Sequence, residues 1–314
     1  MKQHTLSNSS GLQITILNYG GIIQSIKTRQ GDNLVLGFTN TDDYPGNKAY
    51  FGAIIGRVAN RIANAQFNIG DRHYRVEANE NGKQCLHSGS SGLHSVFWNL
   101  TFLPDENAVR LDYLSRDGEG GFPGNVNFKV SYQLTNDNQL IIDYTAKSDQ
   151  ITPIVLTNHT YWDLSTHDTI LNQYAKFCAE QYLPLDTNNI PLGDVLTTKN
   201  SILDFSAEKR IGENIDQLTQ TKGYDYYYIL NKAPQRLRLA AEITDRQAKR
   251  QLRVLTTQPG FQFYTGNFLA NPYSGLCIET QGYPNAINQT NFPSPLLQAN
   301  QIYHHKTIFQ LIIN

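Results

Sequence analysis

The chain has 314 residues, enough for one large β-sandwich or for two domains of ordinary size. Its 26 lysines and arginines nearly balance 27 aspartates and glutamates, which leaves a formal charge of -1. That balance gives no basic surplus for phosphate backbones or anionic lipid, so we expect neither nucleic acid nor a membrane as a partner.

The composition favours strands and a cytoplasmic location. The chain contains 18 Tyr and 14 Phe beside 23 Gly and 12 Pro, a mixture of strand formers and turn formers. It has no run of about 18 apolar residues and no apolar signal-peptide core near its start. The odd number of widely spaced cysteines, Cys85, Cys178 and Cys277, is typical of reduced, buried thiols. We therefore expect a cytoplasmic protein.

Short alternating segments separated by turn residues follow one another along the chain. The segments LQITIL and IIQSIKT lie on either side of a break at 19–21. The sequence QFNIGDRHYRV predicts a hairpin that turns at Gly70 and Asp71. Two more hairpins are predicted, one within 126–146 and one within 236–257, because alternating arms flank a polar turn in both.

Helical periodicity is scarce. The best candidate is 206–218, SAEKRIGENIDQL, where Ser206 is a possible N-cap and Ile211, Ile215 and Leu218 follow helical spacing. No linker, charge block or internal repeat marks a boundary. We predict an all-β protein: one large antiparallel β-sandwich domain over residues 1–314 with a few short helices.

Polar side chains interrupt strand-like sequence at five places. These are GRVANRI with Asn60 and Arg61, CLHSGSSG with His87, LTNHTYWDLS with His159, GYDYYYIL with Asp225, and GLCIETQGYP with Glu279. Each has an ordinary structural explanation when taken alone. Arg61 suits a surface ion pair, and a histidine at a strand end can be satisfied by backbone groups. For His159 alone, a structural role is slightly favoured over a catalytic one.

Glu279 is harder to explain as a structural residue. In LCIET the alternation of side chains places Cys277 and Glu279 on the same face of a strand. A carboxylate there costs several kcal/mol if it is buried without partners, so it either faces solvent or lies in a polar site. Together, the five segments indicate a pocket for a neutral, polyhydroxylated ligand.

No metal or phosphate site is predicted. His87 and His94 are seven residues apart and have no cysteine or carboxylate at ligand spacing. The glycine-rich segment 118–124 lacks the Lys-Ser/Thr pair of a phosphate loop. We therefore expect neither a metal nor another cofactor.

In this order the motifs resemble the aldose 1-epimerases, also called galactose mutarotases. The resemblance extends from LNYGGIIQSI through FGAIIGRVANRI, CLHSG, GFPG, LTNHTYW, GYDYYY and TTQPGFQFYTGNF to CIETQGYPNAINQTNFPSPLL. It implies a galactose mutarotase-like β-sandwich and an isomerase that interconverts the α- and β-anomers of free aldohexoses, galactose and glucose, without a cofactor. By this resemblance His159 is the general acid and Glu279 the general base. The implied substrate-binding residues are Asn60, Arg61, His87, Asp225 and Gln262.

The implied mechanism needs two proton-transfer groups. A base takes the proton of the C1 hydroxyl while an acid protonates the ring oxygen; the ring opens, C1 rotates, and the ring closes from the other face. We expect a nearby carboxylate to raise the pKa of His159 above its reference value of about 6.5. We expect desolvation to raise the pKa of Glu279 above about 4.3, toward the working pH.

The sequence departs from the family pattern at four positions. Ser88 replaces a usual glycine, Trp162 lies in YWDLS where YFNL is commoner, Tyr226 replaces a frequent histidine, and Asn285 replaces an aspartate. These departures leave the sugar preference open. Trp162 is itself a candidate for contact with a sugar face.

Three alternative functions remain. A hexose-6-phosphate 1-epimerase would need a basic cluster, and only Arg57 and Arg61 are close together. A glycoside hydrolase would use Asp225 and Glu279 as its carboxylate pair. A non-catalytic sugar-binding protein would have no need for both His159 and Glu279. In each case we expect a small-molecule sugar ligand and a monomer or homodimer.

Overall fold

The computed structural model describes residues 1–165, 168–231 and 236–313, and strands dominate it. The first thirteen strands are β1 (Gln3–Ser7), β2 (Gln13–Leu17), β3 (Ile23–Lys27), β4 (Ile54–Ile55), β5 (Arg61–Ile62), β6 (Gln66–Ile69), β7 (Arg72–Arg75), β8 (Cys85–Leu86), β9 (Asn99–Leu103), β10 (Ala108–Ser115), β11 (Val126–Leu134), β12 (Gln139–Ser148) and β13 (Thr152–Pro153). The others are β14 (Thr157–Asn158), β15 (Tyr174–Phe177), β16 (Ala179–Tyr182), β17 (Leu196–Thr197), β18 (Lys209–Arg210), β19 (Asp225–Leu230), β20 (Arg238–Asp245), β21 (Arg250–Thr256), β22 (Gly260–Tyr264), β23 (Cys277–Gln281), β24 (Leu296–Leu297) and β25 (Ile302–Ile313).

Three antiparallel sheets form the framework. A nine-stranded sheet has the order β18-β15-β20-β21-β25-β12-β11-β10-β9, a five-stranded sheet the order β17-β16-β19-β22-β23, and a three-stranded sheet the order β1-β2-β3. Side chains from all three sheets share one buried cluster. At its centre the ring of Phe177 on β15 lies 4.9 Å from Tyr228, 5.1 Å from Phe261 and 5.0 Å from Phe263, measured between centroids. The predicted all-β sandwich is confirmed.

The predicted hairpins are also present. Strands β6 and β7 pair across the turn at Gly70 and Asp71, β11 pairs with β12, and β20 pairs with β21. Each pair follows the alternation of apolar and polar residues in the sequence, because a period of two places alternate side chains on opposite faces.

Helical structure in the described residues consists of three-residue 3₁₀ turns. They are Thr41–Asp43, Ala63–Ala65, Gly89–Ser91, Leu93–Ser95, Pro104–Glu106, Glu119–Gly121, Ile170–Asn172, Ile211–Glu213, Ile215–Gln217 and Ala286–Asn288. None of these turns has the length or the apolar character that a membrane-spanning helix requires.

The prediction of a helix over 206–218 is therefore wrong. Within that segment, strand β18 pairs with β15 and is followed by two 3₁₀ turns separated by the non-helical Asn214. Ile211, Ile215 and Leu218 are buried as their spacing suggested, so packing into the core produced the periodicity without an α-helix. Tertiary contacts override helical spacing in a segment this short.

Strand β23 is held against both sheets. On one side it pairs with β22, and Ile278 and Thr280 face the shared core. The Oγ1 atoms of Thr280 and Thr307 lie 2.6 Å apart, and those of Thr307 and Thr256 lie 3.2 Å apart. These buried hydroxyls connect β23 of the five-stranded sheet to β25 and β21 of the nine-stranded sheet. The opposite face of β23 is consequently fixed, and it carries Cys277 and Glu279.

We expect Thr307→Val to lower the free energy of unfolding by about 1–3 kcal/mol, because it leaves the buried Thr280 hydroxyl without a partner. Chemical denaturation measures this change. The matched control is Thr5→Val, which removes the exposed Thr5–Thr15 hydroxyl pair at 3.0 Å and is expected to change stability by less than about 0.5 kcal/mol. Equal effects of the two substitutions would show that the buried hydroxyl connection does not contribute to the free energy of unfolding.

Candidate active site

His159 lies immediately after β14, in backbone that is fixed on both sides. Its N–H donates to the carbonyl of Ala53 at 2.9 Å, and its carbonyl accepts the N–H of Gly52 at 3.0 Å. The side chain of Asn158 donates to the carbonyl of Gly52 and accepts the Thr160 N–H at 3.1 Å. The imidazole is 4% exposed. A strand end that is hydrogen-bonded in this way sets both the depth and the direction of the ring.

Glu279 faces His159 from the middle of β23. Its Oε1 lies 3.8 Å from Nε2 of His159, and the residue is 2% exposed, so the carboxylate lies in a polar site and not in solvent. Within the described chain its Oε2 is buried and has no hydrogen-bond partner. Buried polar atoms are nearly always paired, so this oxygen is suited to accept a hydrogen bond from a bound hydroxyl.

A charged network adjoins Glu279 on the neighbouring strands. Gln262 on β22 pairs with Glu279 and donates from Nε2 to Oδ1 of Asp225, on β19, at 2.7 Å. The Nη1 atom of Arg61 lies 3.9 Å from Oδ2 of Asp225. Arg61 also makes two 2.8 Å hydrogen bonds, from Nε and Nη2, to the carboxylate of Glu80. The structure thus brings Arg61, Asp225 and Gln262 together with the catalytic candidates.

Asn60 and His87 are joined by two hydrogen bonds, one of which involves the imidazole ring. The Asn60 N–H donates to Nδ1 of His87 at 3.2 Å, and the His87 N–H donates to the Asn60 carbonyl at 3.0 Å. Because Nδ1 accepts a hydrogen bond, the neutral ring of His87 carries its proton on Nε2. His87 is therefore a hydrogen-bond donor at Nε2.

Burial sets the charge states of the site. It raises the pKa of Glu279 well above its ordinary value; Asp225 adds to this shift and Arg61 opposes it. Burial also raises the pKa of Asp225, against the effects of Arg61 and Gln262. It lowers the pKa of His87 well below the ordinary value and that of His159 to about 4. The expectation for Glu279 is confirmed, but that for His159 is wrong, because desolvation outweighs the backbone hydrogen bond that would raise the pKa of this ring.

Three tyrosines that the sequence did not single out surround His159. The ring centroids of Tyr50, Tyr161 and Tyr264 lie 5.7, 4.9 and 6.3 Å from that of His159. Tyr50 also lies 4.8 Å from the ring of His87, and its backbone has a φ of 57°. A left-handed conformation at a bulky residue is rare and concentrates at functional sites. Tyrosine is common in this chain, so its abundance hid these residues.

A cavity of about 770 Å³ adjoins the site. Tyr50, Glu80 and His94 are among the residues that line it. A larger cavity of about 1070 Å³ lies around Arg238 and Tyr303, and no predicted site residue is among the described residues that line either cavity. The smaller cavity is favoured as the approach to the site because Tyr50 lies beside the rings of His87 and His159, and Glu80 binds Arg61.

The four departures from the family pattern lie outside the facing side chains of His159 and Glu279. Trp162 is fully buried, 5.0 Å from the ring of Phe309, so the suggestion that it contacts a sugar is wrong. Tyr226 packs against the core. Ser88 contacts Val58, and Asn285 contacts the backbone around Arg61.

The structure also bears on the burial of the cysteines and on the position of Arg57. Cys85 and Cys277 are buried, but Cys178 is exposed, so the expectation of three buried thiols is wrong for Cys178. Arg57 lies close to Arg61 in sequence but points elsewhere: its guanidinium donates to Oγ of Ser115 and to the carbonyls of Pro123 and Arg116. Arg57 is thus a buried support for a turn.

The cluster of His87, His159 and Glu279 has the residue types of a metal site. Each offers one possible ligand atom, and these atoms lie within 4.8 Å of one another. The proton on Nε2 of His87 argues against this use, because a ligating nitrogen needs a free lone pair and Nδ1 is already engaged with Asn60. The cluster is better suited to donate and accept hydrogen bonds with hydroxyl groups.

Comparisons with known proteins agree on one family. The model of the family described as "Aldose 1-epimerase" matches residues 2–310. A galactose mutarotase from pig (Sus scrofa) is 35% identical over 318 residues, which cover 96% of this chain and 91% of the relative. An aldose 1-epimerase from Escherichia coli K12 is 32% identical over 98% of this chain and 94% of the relative.

Solved structures give the same result. A crystal structure of an aldose epimerase homologue from C. elegans superposes with a TM-score of 0.92 at 25% identity, covering 99% of both chains. A galactose 1-epimerase from Lactobacillus acidophilus NCFM gives a TM-score of 0.89 at 25% identity and covers 99% of this chain and 94% of the other.

We expect Glu279→Gln to stabilise the protein at neutral pH. Burial raises the pKa of Glu279, so the folded chain keeps this proton to higher pH than the unfolded chain does, and stability falls as pH rises above about 4.5. The glutamine removes that loss. The melting temperature of Glu279→Gln should exceed that of the parent, and the difference should grow as pH rises from 4.5 toward 7.

The matched control for this prediction is Glu80→Gln. It removes the partner of Arg61 and is expected to destabilise the protein at pH 7. If Glu279→Gln were less stable than the parent at pH 7, or if its advantage did not vary with pH, the carboxylate would not be held in the desolvated state described above.

Proposed function

The chain belongs to the aldose 1-epimerase family and interconverts the anomers of aldoses, and from this premise we propose that His159 and Glu279 transfer the protons of the reaction on free galactose and glucose. The single observation that carries the proposal is the buried approach of Nε2 of His159 to Oε1 of Glu279 at 3.8 Å. Galactose is favoured as a substrate because several of the relatives are named galactose mutarotases.

The proposed reaction is an isomerisation in which protons balance. The carboxylate of Glu279 takes the proton of the C1 hydroxyl, and Nε2–H of His159 gives its proton to the ring oxygen. The bond between C1 and the ring oxygen breaks as the carbonyl at C1 forms. Rotation about the C1–C2 bond then presents the other carbonyl face, and the two proton transfers reverse as the ring closes. These residues therefore suffice for the chemistry of either anomer.

Burial of the pair supports this cycle. Ring opening starts from the form in which Glu279 is ionised and His159 is protonated, and it leaves both groups neutral. Low polarity raises the pKa of Glu279 and lowers that of His159, and both shifts favour the neutral pair. Arg61 opposes the shift on Glu279 and so favours the ionised carboxylate. Relative to the ionised form of the pair, the open-chain intermediate with its neutral pair is stabilised, which lowers the barrier to ring opening from that form.

The remaining predicted residues are proposed to bind the other hydroxyls. Nε2–H of His87 and the guanidinium of Arg61 are donors, and the carboxylate of Asp225 is an acceptor held by Gln262. Asn60 is proposed to act mainly by holding His87. Donors and acceptors fixed in this way discriminate between sugars, because a hydroxyl with the wrong orientation leaves a buried group unpaired.

The extent of the matches supports our proposal of one domain over residues 1–314. No observation favours a glycoside hydrolase or a sugar-binding protein without activity. Asp225, the partner carboxylate that a hydrolase would need, is already paired with Gln262 and Arg61.

We expect His159→Ala and Glu279→Gln each to lower kcat for mutarotation by about 10²- to 10⁴-fold, because each removes one proton transfer. Polarimetry of freshly dissolved α-galactose and α-glucose measures the rate. The control His73→Ala changes an exposed histidine on the β6–β7 hairpin and should keep the parent rate. Parent-like rates in both site variants would refute the assignment, and release of free sugar from an aryl galactoside would support a hydrolase instead.

Free hexoses are expected to be better substrates than their 6-phosphates, with kcat/KM higher by at least about tenfold. Arg57 is engaged with Ser115 and backbone carbonyls, and Arg61 is bound by Glu80 and Asp225. The charge of Arg61 is thus already balanced by two carboxylates and Arg57 is held by other partners, so neither is a free cation for a phosphate. A comparison of galactose with galactose 6-phosphate in the same polarimetric assay tests this, and a preference for the phosphate would overturn it.

A further inference from the structure

Cys277 contacts the nitrogen of His159 that faces away from Glu279. Its Sγ lies 3.4 Å from Nδ1 of His159, and both residues are buried. A hydrogen bond to the backbone of His159 itself also acts on the ring, and it opposes the lowering of its pKa by burial. Because Cys277 and Glu279 are two residues apart on β23, one strand contacts both nitrogens of the same imidazole.

The proposed reaction places a requirement on Nδ1. When the ring of the sugar closes again, Nε2 must accept the proton of the C5 hydroxyl, so the neutral imidazole must hold its own proton on Nδ1. If that proton moved to Nε2, ring closure would have no acceptor there. The tautomer is set by whatever hydrogen bond the other nitrogen makes.

We propose that Cys277 is a positioning residue for proton transfer at His159: its sulfur accepts a hydrogen bond from Nδ1–H and thereby confines the exchanging proton to Nε2. This inference rests on the proposed function. No bond to sulfur forms or breaks during the cycle. The Nδ1–H···S contact is present both in the imidazolium, which donates from Nε2, and in the neutral ring, which accepts there.

The chemistry of a thiol suits this position. Burial, together with Glu279 and Asp225, raises the pKa of Cys277 well above its ordinary value, so the sulfur stays neutral. A carboxylate in the same place would stabilise the imidazolium and hold its protons more tightly. A neutral, weak acceptor orients the ring without opposing the loss of the proton.

Substitution of Cys277 separates this role from packing. Serine keeps a neutral acceptor, and alanine removes it. We expect Cys277→Ala to lower kcat by about 10- to 100-fold with KM changed by less than about threefold, as is typical when the partner that orients a functional histidine is lost. We expect Cys277→Ser to recover most of the rate. Cys178→Ser, at the exposed cysteine, is the control and should match the parent.

Nitrogen-15 NMR of histidine-labelled protein provides a readout that does not depend on activity. The neutral ring of His159 should carry its proton on Nδ1 in the parent and in Cys277→Ser, and should shift toward the Nε2 tautomer in Cys277→Ala. Circular dichroism verifies that each variant is folded.

Two results would overturn the inference. One is an alanine variant that retains the parent kcat and tautomer. The other is a serine variant that loses as much activity as the alanine variant, since that would assign the effect to packing. If the parent itself showed no mutarotation, the proposed function would fail, while the tautomer measurement would still test the hydrogen bond from His159 to Cys277.

Discussion

The desolvated contact between His159 and Glu279 is the constraint on which the rest of the site depends. A carboxylate that is 2% exposed is costly unless its surroundings compensate, and the fold compensates only in part. Arg61 opposes the rise in the pKa of Glu279, but its own charge is shared with Glu80 and Asp225. Glu279 therefore retains a strong affinity for a proton. For the base that we propose Glu279 to be, that affinity is the useful property.

The fold divides the site between strands and loops. Cys277, Glu279, Gln262 and Asp225 project from adjacent strands of the five-stranded sheet, where backbone pairing fixes their spacing. His87 lies on a connection with a φ of 53°, in the left-handed region that is unfavourable for most residues. Tyr50, Asn60 and Ser88 share that conformation. The groups proposed to move protons are thus held by strand pairing, and much of the surrounding wall is built from loops with left-handed backbone.

The sequence was most informative where structure is local. A period of two predicted the hairpins at β6–β7, β11–β12 and β20–β21, because alternation reports directly on which face is buried. The helix prediction for 206–218 failed for the opposite reason. Ile211 and Ile215 are buried in a core that distant strands build, so their local spacing only resembles that of a helix. The extent of burial is likewise a tertiary property. It reversed the expected direction of the His159 pKa and kept Trp162 from any ligand.

That the proposed site residues lie together could be predicted for the set but not for any one of them. His159 alone was slightly more consistent with a structural role, and Glu279 alone could have faced solvent, because only the pairing of β22 with β23 and the position of β14 bring them together. The motif order of the family supplied that non-local information. It gave no role for Cys277 or Tyr50, whose importance depends on a distance to one ring atom and on a backbone angle. The same reasoning applies to the departures. The Asn285 N–H donates to the Arg61 carbonyl at 3.1 Å, and the Ser88 hydroxyl accepts from the Val58 N–H and donates to the Val58 carbonyl. These residues anchor the loops that carry Arg61 and His87, so differences in sugar preference within the family are expected to arise from displaced loops while the proton-transfer pair is unchanged.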